Sequence, residues 1–386
     1  MNKIINKLRT IIDSILIFLF RFLPVKSNYI VLESEGDYTD NIKVFYDYLL
    51  SKNINKEYKL IWFVHEPSSY QKIENVYFIS RFNKIFNFRA MYYSARAKYF
   101  IFSHPYWLKN WKSNQIVIYT THSVAQLKGK GSTLTYKLAD YILCCSEYCQ
   151  DQTAYVLNVN RDIVIPIGMP RIDLMYQKKN CIPLLIDKYE NQKIILCMET
   201  FKQTSGWKDS SVVNKYGINI IESKEELINV NQYLKEHNEI LIVKLHHLQD
   251  TSYFENMILS NIYYIFDSQL KSHNLQTNDL LVNADILLTD YSSVFYEFLL
   301  TDRQIGFLLG DFEDYSRGFL MDDPLSEMPG EKITSVQELF DFFDDFENGI
   351  DRYKEDRQRI KEKVFKYDDN QNCERLYNWL INLKKE

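Results

Sequence analysis

The chain has 386 residues and a net charge of −5, with 46% hydrophobic and 25% charged residues. These values exclude a disordered chain, a collagen and a disulfide-stapled miniprotein, and the length suits two domains. Only 11 glycines occur where average usage predicts about 27, and with no G-x-x-x-x-G-K-[ST] or G-x-G-x-x-G, P-loop NTPases and ordinary dinucleotide-binding enzymes are disfavoured.

The first element is a helix. Ile4, Ile5, Leu8, Ile11, Ile12, Ile15, Leu16, Leu19, Phe22 and Leu23 recur at helical spacing until Pro24. Lys3, Lys7, Arg9 and Arg21 make the segment basic, and Asp13 and Arg21 leave its apolar run too short to span a bilayer. No small-x-small cleavage site follows, which argues against a signal peptide. Residues 1–25 are therefore expected to lie on an anionic membrane surface, with packing on the protein's own body as the alternative.

Short β-rich runs follow at 29–33, 60–64, 76–79, 99–102, 117–120, 141–144 and 163–167, then at 194–198, 240–245, 263–266, 286–289 and 305–309. Many are continuously apolar, as in strands buried on both faces of a parallel sheet. A polar stretch at 176–193 separates the two series. The expectation is an α/β protein with two doubly wound Rossmann-type domains, 26–180 and 181–350, facing a cleft. Charged helices at 336–347 and 352–365 would follow, with 351–386 closing the fold.

Charge is uneven. Residues 75–139 hold ten Lys and Arg and no Asp or Glu, so the remainder carries −15. Such a block points to an anionic partner, and a basic face balanced by an acidic neighbour is the plainer reading. Cys144, Cys145 and Cys149 cluster without a C-x-x-C, as buried free thiols of a reducing compartment do.

Ligands of open parallel sheets bind beyond the carboxyl ends of strands, and four such places carry chemistry. Thr121-His122-Ser123 follows the run 117–120. His122 can serve as a general base near neutral pH, with Lys128 and Lys130 beyond it to meet phosphate. Gly168-Met169-Pro170-Arg171 offers a stiff turn whose arginine can hold a phosphate bidentately or pair with Asp173. Lys244-Leu245-His246-His247 ends another strand, without the further ligands a metal needs. Thr289-Asp290-Tyr291-Ser292-Ser293 runs into a helix carrying Glu297. Its amide groups, helix dipole and hydroxyls can form an anion site without glycine, or Asp290 or Ser292 can simply cap the helix.

The string Thr289–Ser293, Ile167–Asp173, Thr200-Phe201-Lys202, Lys244-Leu245-His246, Arg317-Gly318-Phe319 and Pro329-Gly330 together resemble the motifs of the CDP-glycerol:poly(glycerophosphate) glycerophosphotransferase family. The matches keep the family's order from about residue 115 to 330, and the first hundred residues carry no diagnostic match. The resemblance implies a GT-B fold and transfer of a polyol phosphate from a CDP-activated donor to an acceptor hydroxyl, with release of CMP. It implies His122 as general base and His246 as the group that stabilises or protonates the departing CMP. Ser292 and Ser293 would hold the diphosphate and Glu297 the ribose. Arg171, Arg317, Gly318, Lys128, Lys130, Thr200, Lys202, Thr289 and Asp290 would surround the substrate. The family's W-H-G-T-P-L-K is represented by Thr121–Lys128 without its Trp, Gly, Thr and Pro, the proline after His246 is His247, and Lys202 replaces an arginine.

The expected partners are a CDP-polyol donor, a lipid-linked or polymeric acceptor and the cytoplasmic face of the membrane, without nucleic acid, metal or cofactor. The sequence says nothing of oligomeric state. Two other readings remain at this point. One is a GT-B glycosyltransferase using a nucleotide sugar, and the other is an inactive homologue that binds anionic polymer.

Overall fold

The computed structural model of the chain describes residues 11–383 apart from 13, 17, 81–86, 105–111, 130–138, 178, 201–202, 205–206, 209–215, 246–257 and 316–317. It divides into two compact units. The first comprises 1–122, 131–173 and 369–386, and the second comprises 123–130 and 174–368.

The first unit is built on seven parallel strands: β1 (Lys26–Glu33), β2 (Lys59–Val64), β3 (Val76–Ser80), β4 (Ala97–Phe102), β5 (Ile116–Tyr119), β6 (Tyr141–Leu143) and β7 (Val164–Ile165). Their order is β3-β2-β1-β4-β5-β6-β7. The second unit opens with β8 (Lys193–Met198) and a small antiparallel hairpin, β9 (Gln203–Thr204) and β10 (Trp207–Lys208). Then come β11 (Glu239–Lys244), β12 (Ile262–Ile265), β13 (Ile286–Thr289), β14 (Gln304–Leu308) and β15 (Glu331–Ile333), in the parallel order β12-β11-β8-β13-β14-β15. Strand interiors such as Ile30, Leu32, Ile61, Leu241, Leu287 and Leu288 are fully buried. Burying each such side chain contributes about 1.5–3 kcal/mol, which is why the continuous apolar runs settle as central strands.

Each sheet starts in its middle, grows to one edge and returns to grow the other way. The reversal falls between β1 and β4 in the first unit and between β8 and β13 in the second. Beyond the carboxyl ends of such strand pairs lies the usual ligand crevice of an open α/β sheet.

The division is not the single cut expected at 180/181. It falls after Asp173, and the helix Asn372–Asn382 belongs to the first unit, whereas Lys354–Val364 belongs to the second. Asp173 does not pair with Arg171. Its carboxylate accepts the Asn372 and Cys373 amide groups, each at 2.9 Å, and so caps that helix. Gly168, at φ +92°, lets the chain turn under the same helix, since a Cβ there would lie 1.8 Å from Asn372 Oδ1. All six cysteines are buried free thiols.

Described residues between 11 and 20 are helical. Phe20 packs edge-on against Phe88, with ring centroids 4.9 Å apart, and Lys112 Nζ donates to the Phe20 and Leu23 carbonyls at 3.4 and 2.5 Å. A cation there complements the carboxyl end of a helix. One face thus packs on the first unit, while Ile11, Ile15, Phe18, Leu19 and Phe22 are exposed. Among the described residues no helix is long and apolar enough to cross a membrane.

Candidate active site

In the first unit, β5 delivers Thr120, Thr121 and His122 to the ligand edge. His122 is exposed, with Nδ1 3.4 Å from the Tyr119 hydroxyl. Arg171 Nη2 donates to the His122 carbonyl at 2.7 Å and Nη1 to Asp40 Oδ1 at 2.7 Å. Two guanidinium nitrogens are therefore engaged by protein groups. At the β1/β4 reversal Glu33 is fully buried and accepts from His104 Nε2 at 3.0 Å. A buried carboxylate requires such a partner.

In the second unit the ends of β8 and β13 meet through Asp290. Its buried carboxylate accepts the Thr200 amide at 2.9 and 3.0 Å, the Thr200 hydroxyl at 2.9 Å and the Ser292 amide at 2.9 Å. Thr289 Oγ1 donates to the Met198 carbonyl at 2.6 Å. Asp290 thus fixes the turn that presents Ser292 and Ser293, both half-buried. The helix that follows, Val294–Phe298, has five residues and no side-chain cap on its first turn, so its dipole is small. Glu297 is buried and accepts from Asn278 Nδ2. Tyr291 is buried against Tyr315 and Phe319. Burial and the neighbouring Asp290 and Asp311 raise its phenol pKa, so the hydroxyl stays protonated and donates to Asp311 at 3.2 Å.

The segment 123–130 belongs to this second unit and lies on the same turn. Ser123 Oγ is 3.2 Å from Ser293 Oγ, and Lys128 Nζ donates to Thr200 Oγ1 at 2.8 Å. Main-chain bonds from Gly129 N to Gly318 O at 3.0 Å and from Leu320 N to Leu127 O at 2.8 Å hold the segment in place. Gly318 sits at φ +65° in open space.

The structure therefore brings Lys128, Thr200, Thr289, Asp290, Ser292, Ser293 and Gly318 to one edge of the second sheet. It places His122 and Arg171 at an edge of the first. Lys130, Lys202, His246 and Arg317 lie outside the described residues. The structure adds Glu33, Asp40 and Asn41 to the residues at the ligand edge of the first sheet. Asp40-Asn41 reads as an ordinary helix start, and the available signal was a polar run immediately after a buried strand.

The profile of the CDP-glycerol:poly(glycerophosphate) glycerophosphotransferase family matches residues 15–382. A teichoic acid poly(glycerol phosphate) polymerase of Bacillus spizizenii is 28% identical over 357 residues, covering 83% of this chain and 85% of that protein. The teichoic acid ribitol-phosphate polymerase TarK of Staphylococcus aureus is 23% identical over 385 residues, covering 92% of this chain and 69% of that protein. Among solved structures, the wall teichoic acid polymerase TagF aligns with a TM-score of 0.75 at 20% identity, over 98% of this chain and 94% of that one. That likeness establishes the GT-B-type fold of two parallel α/β sheets. With its profile running almost end to end, the chain belongs to the CDP-glycerol:poly(glycerophosphate) glycerophosphotransferase family.

Proposed function

We propose that the protein transfers a polyol phosphate, glycerol phosphate foremost, from a CDP-activated donor to a hydroxyl of a lipid-linked or polymeric acceptor, releasing CMP, in teichoic acid or capsular polysaccharide synthesis. The observation that carries the reading is the meeting of Ser123, Lys128, Thr200, Asp290 and Ser293 at the β8/β13 reversal. Hydroxyls and an ammonium converge there, on a turn that Asp290 holds in place, as a departing nucleotide phosphate requires.

In this scheme His122 takes the proton of the attacking hydroxyl, which is a weak nucleophile by itself. Ser292, Ser293, Lys128, Lys130, Thr200 and Lys202 hold the diphosphate, and Asp290 and Thr289 keep the turn in place. Glu297, held by Asn278, accepts from the ribose, His246 stabilises or protonates the departing CMP phosphate, and Arg317 and Gly318 complete the phosphate surroundings. Displacement at phosphorus then rests on positioning and charge stabilisation. The exposed side chains of Ile11, Ile15, Phe18, Leu19 and Phe22 support peripheral attachment to the cytoplasmic face of the membrane.

The test incubates purified protein and a membrane acceptor with CDP-glycerol, CDP-ribitol and a panel of nucleotide sugars. CMP release from a CDP-polyol supports the reading, and release of nucleotide from sugar donors alone overturns it. For the membrane part, removing residues 1–24 is expected to move the protein into the soluble fraction, and unchanged fractionation rejects it.

A further inference from the structure

We propose that Asn41 is a positioning residue for His122: it holds residues 120–122 in the conformation that aims the imidazole. The inference rests on the reading of His122 as general base.

Thr121, immediately before His122, has φ +50°. Left-handed backbone is unfavourable for any residue with a Cβ, and most so for a β-branched one. Such a conformation persists only where its surroundings over-determine it. Here they do. Asn41 is 0% exposed, and its Nδ2 donates to the Thr120 carbonyl at 3.4 Å and the Thr121 carbonyl at 3.1 Å. Its Oδ1 accepts the Arg171 amide at 3.0 Å, which uses both donors and the acceptor of one side-chain amide. Arg171 in turn reaches the next carbonyl, that of His122, at 2.7 Å, while Asp40 holds its guanidinium. Three consecutive carbonyls are thus gripped from one cluster, and Thr121 Oγ1 adds a bond to the Leu143 carbonyl at 3.4 Å. Without Asn41, Thr121 is free to relax to negative φ, which rotates the following residue.

A positional error of this kind costs rate rather than donor affinity. Asn41→Ala is expected to lower kcat by about 10–100-fold with the KM for CDP-glycerol changed less than about threefold. If Asn41 acts through His122, the same substitution in a His122→Ala background lowers the residual rate less than about twofold. A loss that instead multiplies with that of His122→Ala marks a merely structural role and overturns the inference.

A second readout does not depend on activity. Carbethoxylation of the exposed His122 by diethyl pyrocarbonate, followed by mass spectrometry, is expected to change rate severalfold in Asn41→Ala, and an unchanged rate overturns the positioning role whatever His122→Ala does. Near-wild-type activity of His122→Ala overturns the general-base reading and, with it, the catalytic half of this inference. Should Asn41→Ala fail to fold, the double variant Asn41→Ala/Thr121→Gly carries the test, because glycine accepts φ +50° without the strain that Asn41 otherwise offsets. It is expected to fold, to lose about 5–10-fold in kcat and to alter His122 carbethoxylation. Wild-type values of both overturn the proposal.

Discussion

The two loops at the ligand edges, 120–123 and 289–293, both do without glycine and hold their backbones in opposite ways. The second is restrained from within and from the neighbouring strand end. Asp290 accepts an amide of its own turn and two groups of Thr200. The first is restrained from a distance, by Asn41, 80 residues away from Thr121 in sequence, and Arg171, 49 residues from His122. A loop that carries its own brace announces itself as a string of residues. A loop braced by remote side chains shows nothing of its brace in its own sequence.

The largest expected effect is on the first loop. His122→Ala should lower kcat for CMP release by about 10²–10⁴-fold, while leaving chemical stability nearly unchanged because the side chain is exposed. A near-wild-type rate would remove His122 from the scheme. Asp290→Ala is the counterpart at the second loop. It leaves the Thr200 and Ser292 amide groups without their acceptor and should cost about 3 kcal/mol in urea unfolding, with donor KM rising in parallel. Equal behaviour of the two variants, each losing rate and stability together, would break the contrast.

A control away from both loops is Glu239, at the amino-terminal end of β11. It is fully buried and its carboxylate oxygens accept no hydrogen bond among the described residues. Burial first, then Glu347 and Asp285, push its pKa from 4.5 up to about 7 against the pull of Lys193 and His237. The folded chain keeps a proton that the unfolded chain loses, so this contribution is full below about pH 4.5 and is lost as pH rises to about 7. Glu239→Gln should therefore gain about 2–3 kcal/mol relative to wild type at pH 8 and little at pH 4.5, with CMP release unaffected. A pH-independent difference would refute the assignment. The smallest effect is Tyr291→Phe, which removes one bond to Asp311 and should cost about 1 kcal/mol by the same unfolding assay.

The same distinction between near and remote restraint explains what could be read beforehand. β8, β11 and β13 are continuous apolar runs, so burial on both faces was visible in their composition, and β13 was placed at 286–289 to the residue. The Thr289–Ser293 string was found because its brace is adjacent. Asn41 was not, because nothing in Asp40-Asn41-Ile42 reveals three partners across the fold. β15 escaped notice because Glu331-Lys332-Ile333 is short and mostly polar, its pairing imposed by β14. The Asp40 partner of Arg171 lies 131 residues away in sequence, so no local pattern around Arg171 points to it.

The cap that Asp173 places on the helix Asn372–Asn382 has a consequence for the order in which the molecule is made. Synthesis runs from the amino terminus, and domains generally fold as they emerge. The first unit's sheet is complete by β7, yet its last helix leaves the ribosome only after the whole second unit has been translated. Until then the first unit waits with Asp173 and the turn at Gly168 uncovered. The second unit can be finished first, and the residues that close the first unit are translated after it.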